Sequence, residues 1–143
     1  MNPVAPHIRF REARDRAGLS HDQVAAQCGL PIGAAAIWDI EKHEGDLLNY
    51  SLADMREISR VLGIRPGEIF GESPEPPLSA HELVAIIRQE SVSRGLTLEQ
   101  FEDVVGWRLS ACIEPPEELP KGISIEGLQW LCGELRLDWR RAL

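Results

Sequence analysis

The sequence has no long apolar run: nothing in its 143 residues approaches the roughly 18 apolar residues of a membrane-spanning helix. The opening Met1-Asn-Pro-Val-Ala-Pro-His7 has neither the basic stretch nor the apolar core of a secretory signal, so a cytoplasmic protein without a membrane partner is expected. Cysteine is scarce. Cys28, Cys112 and Cys132 are far apart, and each falls in an apolar helical context where a free thiol behaves as a small hydrophobe. There is no Cys-x-x-Cys pair, and none of His7, His21, His43 and His81 stands at zinc-site spacing from a cysteine, so no metal site is expected. Phosphate-cradling glycine loops, nucleophile elbows and paired-histidine motifs are also missing. No enzymatic activity, catalytic residue or cofactor is therefore expected, and the acid pairs Glu102-Asp103 and Glu117-Glu118 read as surface charge.

Positive charge is the next shortage. Fifteen Lys and Arg face 23 Asp and Glu, for a net charge of −8 at pH 7. A field of that sign opposes a phosphate backbone. The imbalance is uneven: up to Gly71 there are 8 basic residues against 10 acidic, and from Glu72 onward 7 against 13. The first half is the better candidate to meet nucleic acid. Its basic cluster is Arg9, Arg11, Arg14 and Arg16, with Arg56 and Arg60 as additions. These are either phosphate contacts or a solvated helix face paired with Glu12 and Asp15 at helical spacing.

What is present is helical punctuation. Ile8 to Ala17 reads as a charged helix with Ile8, Ala13 and Ala17 as apolar points, stopped by Gly18. Ser20-His-Asp-Gln23 has capping-box spacing, in which Ser20 and Gln23 satisfy two orphan backbone donors, ahead of Val24, Ala25 and Cys28. A third helix is predicted from Gly33 to His43 with Ala36, Ile37 and Ile40 inward. Ser51-Leu-Ala-Asp54 is read as another capping box, opening a helix with Leu52, Met55, Ile58 and Leu62 buried, and Pro66 begins a last turn ending near Phe70. Glu72-Ser-Pro-Glu-Pro-Pro77, three prolines in six residues, predicts an extended connector. The expected organisation is thus 1–71, a linker over 72–78, and 79–143.

The second half repeats the order. Leu83 to Arg94 ends at Gly95; Thr97-Leu-Glu-Gln100 is again a capping box, followed by Phe101, Val104, Val105 and Gly106. A short helix is predicted after Trp107, cut off by Pro115-Pro116, and Ser124 opens a helix with Ile125, Leu128, Leu131 and Leu135 inward. Leu19-Ser20, Gln23, Val24 and Gly29 fall on Leu96-Thr97, Gln100, Phe101 and Gly106, all 77 residues apart. Leu52, Met55, Ile58 and Leu62 fall on Ile125, Leu128, Leu131 and Leu135, 73 apart. The fold expected is all-α, a duplicated unit of about 60 residues.

The stretches Gly18-Leu-Ser-His-Asp-Gln-Val-Ala-Ala-Gln-Cys-Gly29, Ala36-Ile-Trp-Asp-Ile-Glu41 and Ser51 to Phe70 resemble the Xre family, the Cro/phage-repressor type of helix-turn-helix domain. Residues 79–143 look like a degenerate second copy. The resemblance implies two tandem lambda-repressor-like bundles of about five helices each. It implies a transcriptional regulator whose capped second helix meets a phosphate and whose third helix reads the major groove, typically as a homodimer. Carried over onto this chain, the DNA-contacting residues would be Arg14, His21, Gln23 and Lys42; Glu41 falls at a position that is usually structural.

Departures from that pattern are chemical. Pro31-Ile32 lengthens the turn between the second and third helices. The third helix opens with Gly33-Ala34-Ala35, none of which can hold a guanine or adenine edge, and Asp39, Glu41 and Glu44 oppose phosphate. In the second copy Arg108 and Ser110 are followed at once by Pro115-Pro116 and Glu117-Glu118. Two readings follow: a regulator that binds duplex DNA through the first copy, or an acidic protein-interaction module (an antitoxin, immunity or masking protein) turned to a basic partner. Four tryptophans serve the second reading. Trp38 neighbours core Ile37, while Trp107, Trp130 and Trp139 are candidate interface anchors, set against the default of core packing.

Overall fold

The computed structural model describes residues 4–143. Met1, Asn2 and Pro3, part of the segment read for a signal, and the side chain of Glu44, read as opposing phosphate, lie outside the described residues. Among the described residues the protein is all-α, without a strand, and the chain divides into two compact units, Met1–Glu72 and Ser73–Leu143.

In the first unit, α1 (Pro6–Ala17) starts on a proline whose missing N–H costs nothing in a first turn, and ends at Gly18 with φ 68°. α2 (His21–Gln27) has both arms of its capping box: Ser20 Oγ accepts from the Gln23 N–H at 3.1 Å, and Gln23 Oε1 accepts from the Ser20 N–H at 2.8 Å. α3 (Ala34–Lys42) follows Gly33 without a side-chain cap. α4 (Glu44–Asn49) is too short to announce itself by periodicity; buried Leu47 anchors it. In α5 (Leu52–Leu62), Ser51 Oγ accepts from the Asp54 N–H at 3.1 Å, while Asp54, one methylene shorter than Glu, forms no return arm of a box. α6 (Pro66–Phe70) closes the unit.

The core centres on Phe10, Val24, Ile37, Ile40, Leu47, Met55, Ile58 and Ile69, all fully buried. On α1 the inward pair is Phe10 and Ala13, one turn apart, whereas Ile8 is half-buried and Ala17 exposed. The charged surroundings of Phe10 hide it from a reading by periodicity.

In the second unit, α7 (Ala80–Ser93) begins earlier than predicted because Ser79 and Glu82 form a complete capping box. α8 (Leu98–Val105) carries the Thr97–Gln100 box and stops at Gly106, φ 83°. The helix predicted after Trp107 is only a turn: the Cys112 and Ile113 N–H groups both donate to Leu109 O, at 2.9 and 3.1 Å, before the prolines end it. Leu109, Cys112 and Ile113 are nevertheless buried. α9 (Leu119–Gly122) and α10 (Ile125–Glu134) complete the unit. Val104 is 47% exposed, since Phe101 and Val105 one turn apart occupy the buried stripe of α8. Leu135 is half-buried beyond the end of α10.

The segment after Glu72 belongs to the second unit and is tied to it. Arg141 Nε donates to Pro76 O at 2.8 Å, its guanidinium pairs with Glu75 at 3.2 Å, and its own carbonyl accepts from the Leu78 N–H at 2.8 Å. Burial pushes the Cys132 thiol up to about 12 and raises that of Cys112, so both behave as apolar filler.

Local bonding recurs between the units. After α1, the Gly18 N–H donates to Asp15 O and the Leu19 N–H to Arg14 O; after α7, Gly95 and Leu96 donate to Val92 O and Ser91 O. After α5, the Gly63 N–H donates to Arg60 O and the Ile64 N–H to Ser59 O; after α10, Arg136 and Leu137 donate to Gly133 O and Cys132 O. Gly63 has φ 72°, and Arg136 takes the same left-handed conformation at φ 58° with a side chain that disfavours it. Replacing Arg136 by glycine is therefore expected to stabilise the second unit by about 1 kcal/mol, read as a raised denaturation midpoint at unchanged m-value. A lowered midpoint would mean that contacts of the arginine outweigh its backbone strain.

Candidate interaction surfaces

Two of the four side chains assigned to DNA by resemblance turn to the same carboxylate. Arg14 on α1 grips Glu41 on α3 in a two-point pair, Nε to Oε2 at 2.7 Å and Nη2 to Oε1 at 2.9 Å. Its third nitrogen, Nη1, donates to Leu19 O at 2.8 Å. His21 Nε2 reaches Glu41 Oε2 at 2.8 Å. The Arg14 and Glu41 side chains are only 13% and 4% exposed, so the cluster is an internal brace joining α1, the start of α2 and the end of α3. The Glu41 hydrogen bond holds the Arg14 pKa above its ordinary value. At the matching place in the second unit, Ser91 Oγ donates to Leu96 O at 2.8 Å, without an ion pair.

Gln23 is committed to the Ser20 N–H as the return arm of its capping box. Lys42 is exposed, with Nζ 5.3 Å from the centroid of Trp38. Trp38 is itself 49% exposed and lies one turn from exposed Ala35. The outward side of α3 is therefore Ala35, Trp38 and Lys42, a small residue, an aromatic ring and one cation, without an amide or guanidinium to pair with a base edge. Beside it Asp39, Asp46, Asn49, Tyr50 and Ala36 line an open hollow of about 300 Å³. Burial, then the Asp46, Asp39 and Asp54 carboxylates, raise the Tyr50 pKa. Within the basic cluster of α1, Arg11 and Arg16 stay exposed and Arg9 half-exposed, while Arg60 pairs with Glu57 on α5.

In the second unit two tryptophans are seated on glycines. Trp107 packs on Gly127 so closely that a Cβ there would stand 2.8 Å from the ring, and its Nε1 donates to Gly122 O at 3.1 Å. Trp130, 49% exposed, lies against Gly106, 3.7 Å from where a Cβ would be. Trp139 is half-buried at the start of a single 3-10 turn, Trp139–Ala142. Glu99, Glu102, Asp103, Gly106, Trp107 and Arg108 line an open cleft of about 540 Å³. Glu102 accepts from the Ser110 N–H at 2.5 Å, which fastens α8 to the following turn. Phosphate would meet three carboxylates there for one guanidinium.

The brace at Glu41 has no local signal in the sequence, because its partners stand 27 and 20 residues away. The tryptophan–glycine seats had no sequence signal: Gly106 read only as a helix stop. No cluster of three or more His, Cys, Asp or Glu that could hold a metal ion occurs among the described residues, and no helix there is long and apolar enough to cross a membrane. Compared with protein-family models, curated proteins and solved structures, the chain matches none.

Proposed function

We propose that this is a cytoplasmic, non-enzymatic regulator of Xre-type helix-turn-helix descent, built from two copies of that unit, that acts as an acidic protein-interaction module and no longer reads an operator. The observation that carries this reading is the fate of the presumed DNA contacts. Arg14 and His21 turn to Glu41, the exposed Gln23 is held by its cap, and Lys42 faces solvent beside an exposed tryptophan. The repeated helix-end bonding supports the duplication, and the buried Glu41 supports the descent, since a structural role is what the resemblance implies for it. In the second copy the helix that would enter the groove is reduced to a turn beside Glu99, Glu102 and Asp103. Sites of this kind have lost the chemistry of base reading while the scaffold remains.

Anisotropy titration of labelled, mixed-sequence duplexes with the full chain at 20–50 mM salt (roughly the range where electrostatics is least screened) tests it. No binding stronger than about 100 µM is expected, weaker than ordinary non-specific association. Micromolar binding that falls steeply with salt would overturn the proposal and restore a DNA regulator; Lys42→Ala should then lower the salt slope by about 1.

A further inference from the structure

The geometry points to a defined docking face on the second unit, formed by the outward side of α8 and the adjoining Trp130 of α10, whose occupant is a basic amphipathic segment of a partner protein. This rests on the interaction reading above and names the surface and the partner chemistry.

Three observations converge on it. First, Val104 and Trp130 are two of the few large hydrophobic residues left about half exposed, at 47% and 49%. They lie on elements that pack directly on each other, α8 against α10. Second, the aromatic part is built rather than loose. Trp130 is backed by Gly106 and Trp107 by Gly127, and the Trp107 indole N–H is fixed on Gly122 O. An aromatic side chain already held in place loses little freedom when a partner covers it. Third, the surrounding charge has one sign. Glu99, Glu102 and Asp103 line the cleft beside Trp107, and among the described residues neither Glu99 nor Asp103 has an ion-pair partner. Glu126 stands one turn before Trp130 on α10 and is likewise outside the ion pairs of the described residues. Arg108 is the one cation lining the cleft.

Charge complementarity selects the occupant. Carboxylates without ion-pair partners beside the fixed indole of Trp107 and the half-exposed ring of Trp130 fit lysine or arginine side chains flanking an aliphatic or aromatic one. The partner's apolar residue would cover Trp130, and its cations would enter the cleft. Nucleic acid is repelled by the same carboxylates. A second copy of this chain, at net charge −8, brings the wrong sign to the contact.

The test uses the isotopically labelled full chain and an amphipathic peptide of alternating Leu and Lys blocks. Its comparators are an oligolysine of the same charge and a Leu/Glu peptide of the same pattern. Amide shifts on adding the Leu/Lys peptide are expected to cluster on α8, the turn after Gly106 and α10. Oligolysine should bind at least about tenfold more weakly, and the Leu/Glu peptide not at all. E99Q/D103N should weaken Leu/Lys binding about tenfold and flatten its salt dependence; both side chains sit on the exposed side of α8, and an unchanged denaturation midpoint certifies the fold. Trp130→Ala should weaken binding about thirtyfold. Shifts centred on Trp38 and α3 would overturn this face while leaving an interaction module standing. Shifts on α8 and α10 that grow with protein concentration in the absence of peptide would make the occupant a second copy and overturn the basic-partner assignment. Equal binding of oligolysine, or no binding of any peptide, would also overturn it. Failure of the broader reading appears separately, as salt-sensitive binding to duplex DNA.

Discussion

Replacing Glu41 by alanine should cost the first unit about 3–5 kcal/mol, the penalty for removing one member of a buried ion pair. The Arg14 guanidinium would keep its donor to Leu19 O and the exposed Asp15 carboxylate at 3.4 Å but lose both Glu41 oxygens in a place where it is 13% exposed. His21 would lose its acceptor as well. A surface ion pair is worth at most about 1 kcal/mol, so the magnitude separates a brace from decoration. Urea unfolding with hydrogen exchange resolved by residue measures it, with protection falling first in α1 and α3. Glu41→Gln, which keeps the shape and one acceptor, should lose about half as much. A loss under about 1 kcal/mol for the alanine variant would show that water already compensates the cluster, and would return Arg14 and His21 to the pool of side chains free to meet a ligand.

Phe101→Ala should destabilise the second unit by a similar amount, about 3–5 kcal/mol, through lost burial and the cavity left behind. Phe101 is fully buried on α8, with the Arg94 guanidinium 5.5 Å from its ring centroid, and Arg94 in turn pairs with Glu90 and Glu134 at 2.8 and 2.7 Å. One side chain therefore anchors α8 from within while salt links α7 to α10 from outside. Phe101→Leu, close to volume-conserving, should cost less than about 1.5 kcal/mol. The pair is informative for the docking face. Neither variant removes a proposed contact, yet the alanine form should bind the Leu/Lys peptide more weakly because Glu99, Asp103 and Val104 ride on the helix that Phe101 seats. The leucine form should bind as the native chain does. Equal loss in both, with α8 still protected from exchange, would mean that Phe101 does not position that face.

The outward side of α3 holds Ala35, Trp38 and Lys42 beside a flank with Asp39 and Asp46. Substituting base-reading residues there would leave the Glu41 brace untouched, since Glu41 lies on the buried side of the helix.

Much of the local structure was determined by the sequence alone. Ser20–Gln23 and Thr97–Gln100 are caps because a hydroxyl and an amide three residues apart reach each other's backbone N–H within one helical turn, whatever surrounds them. Gly18, Gly63 and Gly106 end helices because the left-handed conformation is open to them, and the spacing of Leu52, Met55, Ile58 and Leu62 makes one face of α5 apolar. Such features depend on neighbours a few residues away and can be read in order along the chain. Only the tertiary structure decided what the polar residues do. Arg14, His21 and Glu41 meet across 20 to 27 residues, so phosphate contact and internal brace look the same until α1 and α3 are packed. Val104 turned outward because α8 has room for one inward stripe, and Phe101 with Val105 fills it. Trp107 became a fixed surface because Gly127 lacks the Cβ that would have pushed it away, and Trp130 lies over Gly106 in ordinary contact.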